Sequence, residues 1–170
     1  MKLSLRIMLA LATAVAVTLS AGQALAKGTV VKVSLWDKGA TSMNMLGKGP
    51  AMGMMMGHQG TNMPMGPMGI KVSARTLKAG TVTFAVTNAS KDLIHEMVLS
   101  PVKDDKTALP YDEATLKVDE DTAGHLGEVA ELEPGKTGAL TIDLKPGKYI
   151  LYCNVAGHYV LGMWTLVTVI

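Results

Sequence analysis

Short segments in which polar and apolar residues alternate recur along this chain of 170 residues, and they constrain its fold more than any other feature. The clearest is 81–87, Thr-Val-Thr-Phe-Ala-Val-Thr, which has the period of a half-buried strand. Turn sequences with Pro-Gly at their centre lie at 133–136 and 145–148. We therefore predict an all-β sandwich or small barrel of seven or eight strands. The predicted strands are residues 29–36, 70–73, 81–87, 93–99, 128–132, 138–144, 148–153 and 163–170.

The first 26 residues have the features of a cleavable export signal. Lys2 and Arg6 precede an apolar stretch at 7–20, and Ala-Leu-Ala at 24–26 fits a small-x-small cleavage pattern. The apolar stretch is short for a membrane span. We therefore expect residues 27–170 to form one mature domain that is periplasmic or otherwise extracytoplasmic.

The charge of this mature chain is expected to be balanced. The full sequence has 16 basic and 14 acidic residues, and loss of Lys2 and Arg6 leaves 14 of each. No basic block is present, and aromatic residues do not alternate with Lys or Arg, so the composition argues against nucleic-acid binding.

A methionine-rich segment at 43–68 interrupts the strand pattern. It holds nine of the 13 methionines, together with glycines and three prolines, and shows neither a helical nor a strand period. We predict a long irregular loop inserted between strands. Thioethers are soft ligands, so this segment could bind Cu(I), or its methionines could provide an adaptable apolar surface. The candidate Cu(I) donors are Met43, Met45, Met52, Met54, Met55, Met56, His58, Met63, Met65 and Met68.

The only cysteine, Cys153, lies at a predicted strand end, and His158 and Met163 follow it with C-x4-H-x4-M spacing. A single cysteine in an exported protein can form an intermolecular disulfide, remain a reactive thiol, bind a metal or be buried and inert. Taken alone, His158 could be an exposed loop residue and Met163 a core residue.

A second histidine, His95, lies in the predicted strand 93–99. With period two it shares a face with Leu93, Met97 and Leu99, whereas Glu96 lies on the opposite face. We therefore expect His95 to point into the core. It could be satisfied there by a backbone carbonyl, or its neutral ring could offer a nitrogen to a metal.

Two histidines, one cysteine and one methionine are together the donor set of a blue-copper electron-transfer site. Structural zinc sites usually supply paired Cys or His ligands at short spacing, which this chain lacks. The strand-end cysteine also lacks the helix N-terminus that would activate a nucleophile. His125, between Gly124 and Gly127, has no partner at ligand spacing and is expected at the surface.

On these residues the chain resembles the cupredoxin family, and within it the sulfocyanin-like and rusticyanin-like members, which carry Cys, His and Met on one loop with this spacing. The Gly-Met-Trp sequence at 162–164 is especially similar to sulfocyanins. The resemblance implies a Greek-key β-sandwich with one mononuclear type 1 copper site near one end, bound by His95, Cys153, His158 and Met163. Many members have Asn or Ser where this chain has Glu96, and the methionine-rich insertion lies outside the common pattern.

We therefore expect a monomeric carrier of single electrons, and not an enzyme, that alternates between Cu(I) and Cu(II). Its expected partners are redox proteins such as a cytochrome or terminal oxidase. Tyr159, Val160 and Leu161, beside His158, are predicted to form the docking patch in a small interface. The alternative function is copper handling, meaning Cu(I) delivery, storage or resistance through the methionine-rich loop and a possible copper-trafficking partner.

Overall fold

A computed structural model describes residues 28–49, 51 and 66–170. The predicted export signal lies outside these residues, as do His58 and the six methionines between residues 52 and 65 that are candidate Cu(I) donors. Within the described part of the chain, no helix is long and apolar enough to cross a membrane.

Strands dominate this part of the chain, and all eight predicted strands are confirmed. Three further strands, β3, β6 and β7, are two residues long, too short to show a period. The strands are β1 (Thr29–Asp37), β2 (Met68–Val72), β3 (Thr76–Leu77), β4 (Gly80–Asn88), β5 (His95–Val102), β6 (Tyr111–Asp112), β7 (Lys117–Val118), β8 (Gly127–Leu132), β9 (Thr137–Leu144), β10 (Gly147–Tyr152) and β11 (Trp164–Val169). A 3-10 helix spans Ala40–Met45, and a single α-helical turn, α1, spans Glu120–Ala123.

Two sheets form the predicted β-sandwich. One has the strand order β2-β1-β4-β9, and the other has the order β3-β11-β10-β5-β8. β1 runs parallel to β4, and β3 runs parallel to β11, whereas the other neighbours are antiparallel. The remaining strands, β6 and β7, pair with each other.

The main core lies between the sheets and follows the alternation seen in the sequence. In β4 the apolar side chains Val82, Phe84 and Val86 are buried, and the intervening residues are partly or fully exposed. In β5, Met97 and Leu99 are buried in the same core, and His95 is fully buried, as expected. Burial of each large apolar side chain favours folding by about 1.5–3 kcal/mol.

A second apolar cluster covers the outer face of the five-stranded sheet. Val98, Ile150 and Tyr152 pack there against side chains from the 103–126 connection, which joins β5 to β8, and from the loop between β10 and β11. Both faces of β5 are therefore buried, and Glu96, on the outer face, is only 8 % exposed. Alternation alone could not predict this cover, because it comes from a connection that lacks strand periodicity.

The described ends of the methionine-rich segment are ordered structure, contrary to the prediction of an irregular loop over all of 43–68. Met43 and Met45 belong to the 3-10 helix, and Met43 packs beside Gly157. Met68 lies in β2, buried in the main core. Met68 therefore lies in a strand, not in an irregular loop as predicted, and its side chain fills the space between the sheets.

Candidate metal centre

Three donor side chains converge at one end of the sandwich. His95 begins β5, Cys153 directly follows β10, and His158 lies in the loop that connects β10 to β11. His95 Nδ1 and His158 Nδ1 are 3.2 Å apart, and Cys153 Sγ is 3.3 Å from His158 Nδ1. All three ligand atoms lie within 4.8 Å of one another. The structure therefore brings together three of the four residues that the sequence predicts as copper ligands.

The fourth predicted ligand, Met163, is joined to the other two loop residues through its backbone. Its N–H donates to the carbonyl of His158 at 3.1 Å, and its carbonyl accepts from the N–H of Cys153 at 3.0 Å. Its side chain is fully buried in the same apolar cluster as Cys153. These contacts close the C-x4-H-x4-M loop, so the spacing seen in the sequence corresponds to one compact unit.

Two glycines allow the loop to be this tight. Gly157 has φ +83° and Gly162 has φ +97°, a left-handed region that side-chain-bearing residues rarely adopt. Gly157 also lies against the 3-10 helix, where an added Cβ would be 3.2 Å from both Met43 Cε and Leu46 Cδ2. The helix at the start of the methionine-rich segment thus packs directly on the ligand loop.

Burial keeps both histidines neutral at pH 7. It lowers the pKa of His95, although the hydrogen bond and negative charge of Asp37 oppose the change. Burial, with a smaller effect from His95, lowers the pKa of His158 to about 4, and His158 is only 3 % exposed. Neutral imidazoles keep a lone pair for a metal ion, and that is the form a ligand requires.

The sulfur of Cys153 is fully buried and accepts a hydrogen bond from the backbone N–H of Glu96 at 3.4 Å. Burial raises the pKa of the thiol to about 12, so without a metal ion it is protonated at pH 7. Such a thiol is a poor nucleophile. A metal cation at the site would replace its proton and compensate the buried thiolate.

Glu96 is a buried carboxyl group beside the centre. Its pKa is raised to about 7, chiefly by burial and further by the charges of Glu128 and Glu120. Glu128 reaches this region because it pairs with Val98 across the β5–β8 ladder. The sequence placed Glu96 on the face away from His95 but gave no sign that this face is covered.

Sequence reasoning missed Asp37, which contacts the outer nitrogen of His95. Its Oδ2 lies 2.8 Å from His95 Nε2, and the side chain of Asp37 is 1 % exposed. An acidic residue at the end of a strand is the only local signal, and its partner lies 58 residues away. Only the pairing of β1 into the sandwich brings the two together.

Asn154, next to Cys153, was also missed. Its side-chain amide accepts from the N–H of Val118 at 2.6 Å and donates to the carbonyl of the same residue at 3.0 Å. It also donates to Glu120 Oε1 at 2.8 Å. Asn154 thus attaches the start of the ligand loop to β7 and α1.

The predicted docking patch at Tyr159, Val160 and Leu161 was wrong, because all three side chains are buried. Tyr159 and Val160 belong to the outer apolar cluster, and Leu161 belongs to the main core. The hydroxyl of Tyr159 accepts from the N–H of Leu109. The 103–126 connection covers the face that these residues were expected to expose.

His125 is exposed, as predicted, but it has acidic neighbours. Its Nδ1 is 4.0 Å from Glu120 Oε2, and Glu128 lies close enough for all three residues to offer ligand atoms within 4.8 Å. These side chains are partly or fully exposed, and Glu120 already accepts a hydrogen bond from Asn154.

The geometry and chemistry of the buried centre fit a copper ion. Two nitrogens that bind one metal ion at about 2.0 Å lie roughly 3.3 Å apart when the angle between them is tetrahedral, close to the 3.2 Å between the two Nδ1 atoms. Two imidazoles and a thiolate, with a thioether as a weak fourth donor, are the ligands of blue-copper sites. Met163 is the thioether on the same loop as Cys153 and His158, and its side chain is fully buried.

Solved structures of rusticyanin and auracyanin resemble this one at low sequence identity. Rusticyanin from Thiobacillus ferrooxidans has a TM-score of 0.53 and 15 % identity, covering 85 % of this chain and 79 % of that chain. Reduced auracyanin from Roseiflexus castenholzii has a TM-score of 0.50 and 16 % identity, covering 85 % of this chain and 98 % of that chain. No protein-family model and no curated protein sequence matches the chain. The likeness shows that the chain has the cupredoxin fold, as the sequence predicted.

Proposed function

We propose that this protein is an extracytoplasmic type 1 copper protein that carries single electrons between redox partners. The observation that carries the proposal is the convergence of His95 Nδ1, Cys153 Sγ and His158 Nδ1 in a buried cluster at one end of a cupredoxin fold. Met163 is proposed as a weak fourth ligand. Copper bound there supplies a one-electron couple between Cu(I) and Cu(II).

The protein's own contribution is to hold the donors in place. His95 is fixed at the start of β5, and Cys153 is fixed by the Glu96 N–H and by its backbone bond to Met163. Because the donors are already close together, neither oxidation state requires a large rearrangement. The buried surroundings exclude water from the thiolate, which supports rapid and reversible transfer.

His158 is proposed to be the residue nearest the redox partner, because it lies on the loop at the end of the sandwich. Partly buried apolar side chains pack near this loop, namely Met43, Leu46 and Val155. A small apolar contact over this end suits the weak, short-lived interfaces of electron-transfer complexes. We propose a monomer whose partner is a redox protein such as a cytochrome or terminal oxidase.

Electrochemistry and copper counting together test this function. The mature protein, residues 27–170, should bind one copper ion and show one reversible one-electron wave. Copper handling by the methionine-rich segment predicts a different result, namely binding of more than one Cu(I) per chain under reducing conditions. An irreversible wave, or loss of copper on reduction, would contradict the proposed electron carrier.

A further inference from the structure

The buried carboxylate of Asp37 points to a role in the centre that no residue pattern indicated. Its contact with His95 joins two side chains that are each almost fully buried, at 2.8 Å. The carboxylate has further partners, since Oδ1 accepts the N–H of Gly39 at 2.6 Å and the hydroxyl of Ser90 also hydrogen-bonds to Asp37. Asp37 is therefore held rigidly.

The hydrogen bond decides which nitrogen of His95 carries the proton. The backbone N–H of Gly39 donates to Oδ1 of Asp37, the hydroxyl of Ser90 hydrogen-bonds to the same side chain, and Oδ2 lies 2.8 Å from His95 Nε2. A carboxylate placed among donors in this way can only accept hydrogen bonds. The proton of the neutral imidazole must lie on Nε2, which leaves Nδ1 with a lone pair facing Cys153 and His158.

We propose that Asp37 is a positioning residue of the metal centre, which orients His95 for binding through Nδ1 and stabilises the cupric state over the cuprous state. The inference rests on the proposed copper function and specifies how that site is regulated. Carboxylate partners of ligating histidines fix the tautomer and raise the basicity of the ring.

The preference for Cu(II) follows from the buried charges. The thiolate of Cys153 and the carboxylate of Asp37 together carry two negative charges, which balance a dication but leave one excess negative charge beside a monocation. Uncompensated charge in a buried environment is costly. Removing the charge of Asp37 should therefore weaken binding of Cu(II) more than binding of Cu(I).

The test compares Asp37→Asn with Asp92→Asn in the full mature protein. Asparagine keeps the shape and a carbonyl acceptor but removes the charge. Asp92 is a matched control, because its exposed carboxylate contacts the N–H of Ala40 in the same region and does not contact a proposed ligand. The readouts are the Cu(II), Cu(I) and Zn(II) dissociation constants and the reduction potential.

For Asp37→Asn we expect a loss of Cu(II) and Zn(II) affinity of about 10–100-fold. If the affinity for Cu(II) falls tenfold more than the affinity for Cu(I), the reduction potential rises by about 59 mV. Asp92→Asn should match the wild type in every readout. A potential for Asp37→Asn equal to that of the control would overturn the proposal.

A second measurement does not depend on copper or on how well a variant folds. Nitrogen NMR of the metal-free wild-type protein should show His95 with its proton on Nε2. A proton on Nδ1 would overturn the proposed role of Asp37, whatever the electrochemistry shows. If the wild-type protein bound Cu(II) without using Cys153, the copper function would fail, but the tautomer and the Zn(II) affinities would still test Asp37.

Discussion

Replacing Glu96 by glutamine should make the metal-free protein more stable at high pH, because the change removes a buried group that must ionise. Burial and two neighbouring carboxylates raise the pKa of Glu96 from 4.5 to about 7. At 1.36 kcal/mol per pH unit, this difference corresponds to about 3 kcal/mol. In the wild type, this contribution to stability is fully present below pH 4.5 and is lost as the pH rises through about 7.

Glutamine has the same shape and no charge at any pH, so the variant lacks this loss. The free energy of unfolding of Glu96→Gln minus that of the wild type should therefore rise by about 3 kcal/mol between pH 4.5 and pH 8. Urea unfolding of both proteins across this range measures the difference. Because the proteins are compared at equal pH, the separate titration of His158 cancels.

Glu133→Gln provides the control, since Glu133 is exposed in the turn before β9. This variant shows how the same measurement responds to loss of an exposed carboxylate. A difference between Glu96→Gln and the wild type that stays flat from pH 4.5 to pH 8 would contradict the expectation for Glu96. Such a result would mean that the carboxylate of Glu96 is as well solvated in the folded protein as in the unfolded chain.

Three further results are expected. In Glu96→Gln, which removes the carboxyl with a pKa of about 7 beside the site, Cu(II) binding at pH 7 should release one proton. The Cys153 thiol has a pKa of about 12, and His158, with a pKa of about 4, is already neutral. Calorimetry in buffers of different ionisation enthalpy measures the release, and zero or two protons would contradict the expectation. Gly157→Ala should lower the free energy of unfolding, measured in urea, by about 1–2 kcal/mol, because residue 157 has a positive φ. Gly49→Ala is the control and should change this free energy far less, because an added Cβ there would meet no other atom within 4 Å. Asn154→Ala removes buried hydrogen bonds and should cost about 1–3 kcal/mol in the same assay; an unchanged midpoint would show that the loop does not depend on this anchor.

Much of the fold was predictable because alternation is a local property. In β4 the residues facing the core are every second residue, so the pattern identified the strand and its buried face. Two-residue strands such as β3 leave no such pattern. The burial of Glu96 was also unpredictable, because its cover is a connection that contributes side chains from several separate turns and short strands.

The candidate site was predictable to the extent that it is local. Cys153, His158 and Met163 belong to one loop, so their spacing in the sequence reflects their proximity in the structure. The alternation of residues along β5 predicted that the side chain of His95 points into the core. Asp37 belongs to the other sheet, and its contact with His95 depends on how the two sheets pack. Contacts of this kind leave no trace in the spacing of residues.

One titration tests directly whether Cys153 binds copper as a thiolate. One equivalent of Cu(II) is added to the mature protein, and the visible absorption and paramagnetic resonance spectra are recorded beside those of Cys153→Ser. A copper thiolate gives an intense thiolate-to-copper charge-transfer band, which should saturate at one copper per chain and be lost in the variant. A wild-type protein that binds Cu(II) without this band, or a variant that retains it, would show that Cys153 does not bind copper as a thiolate.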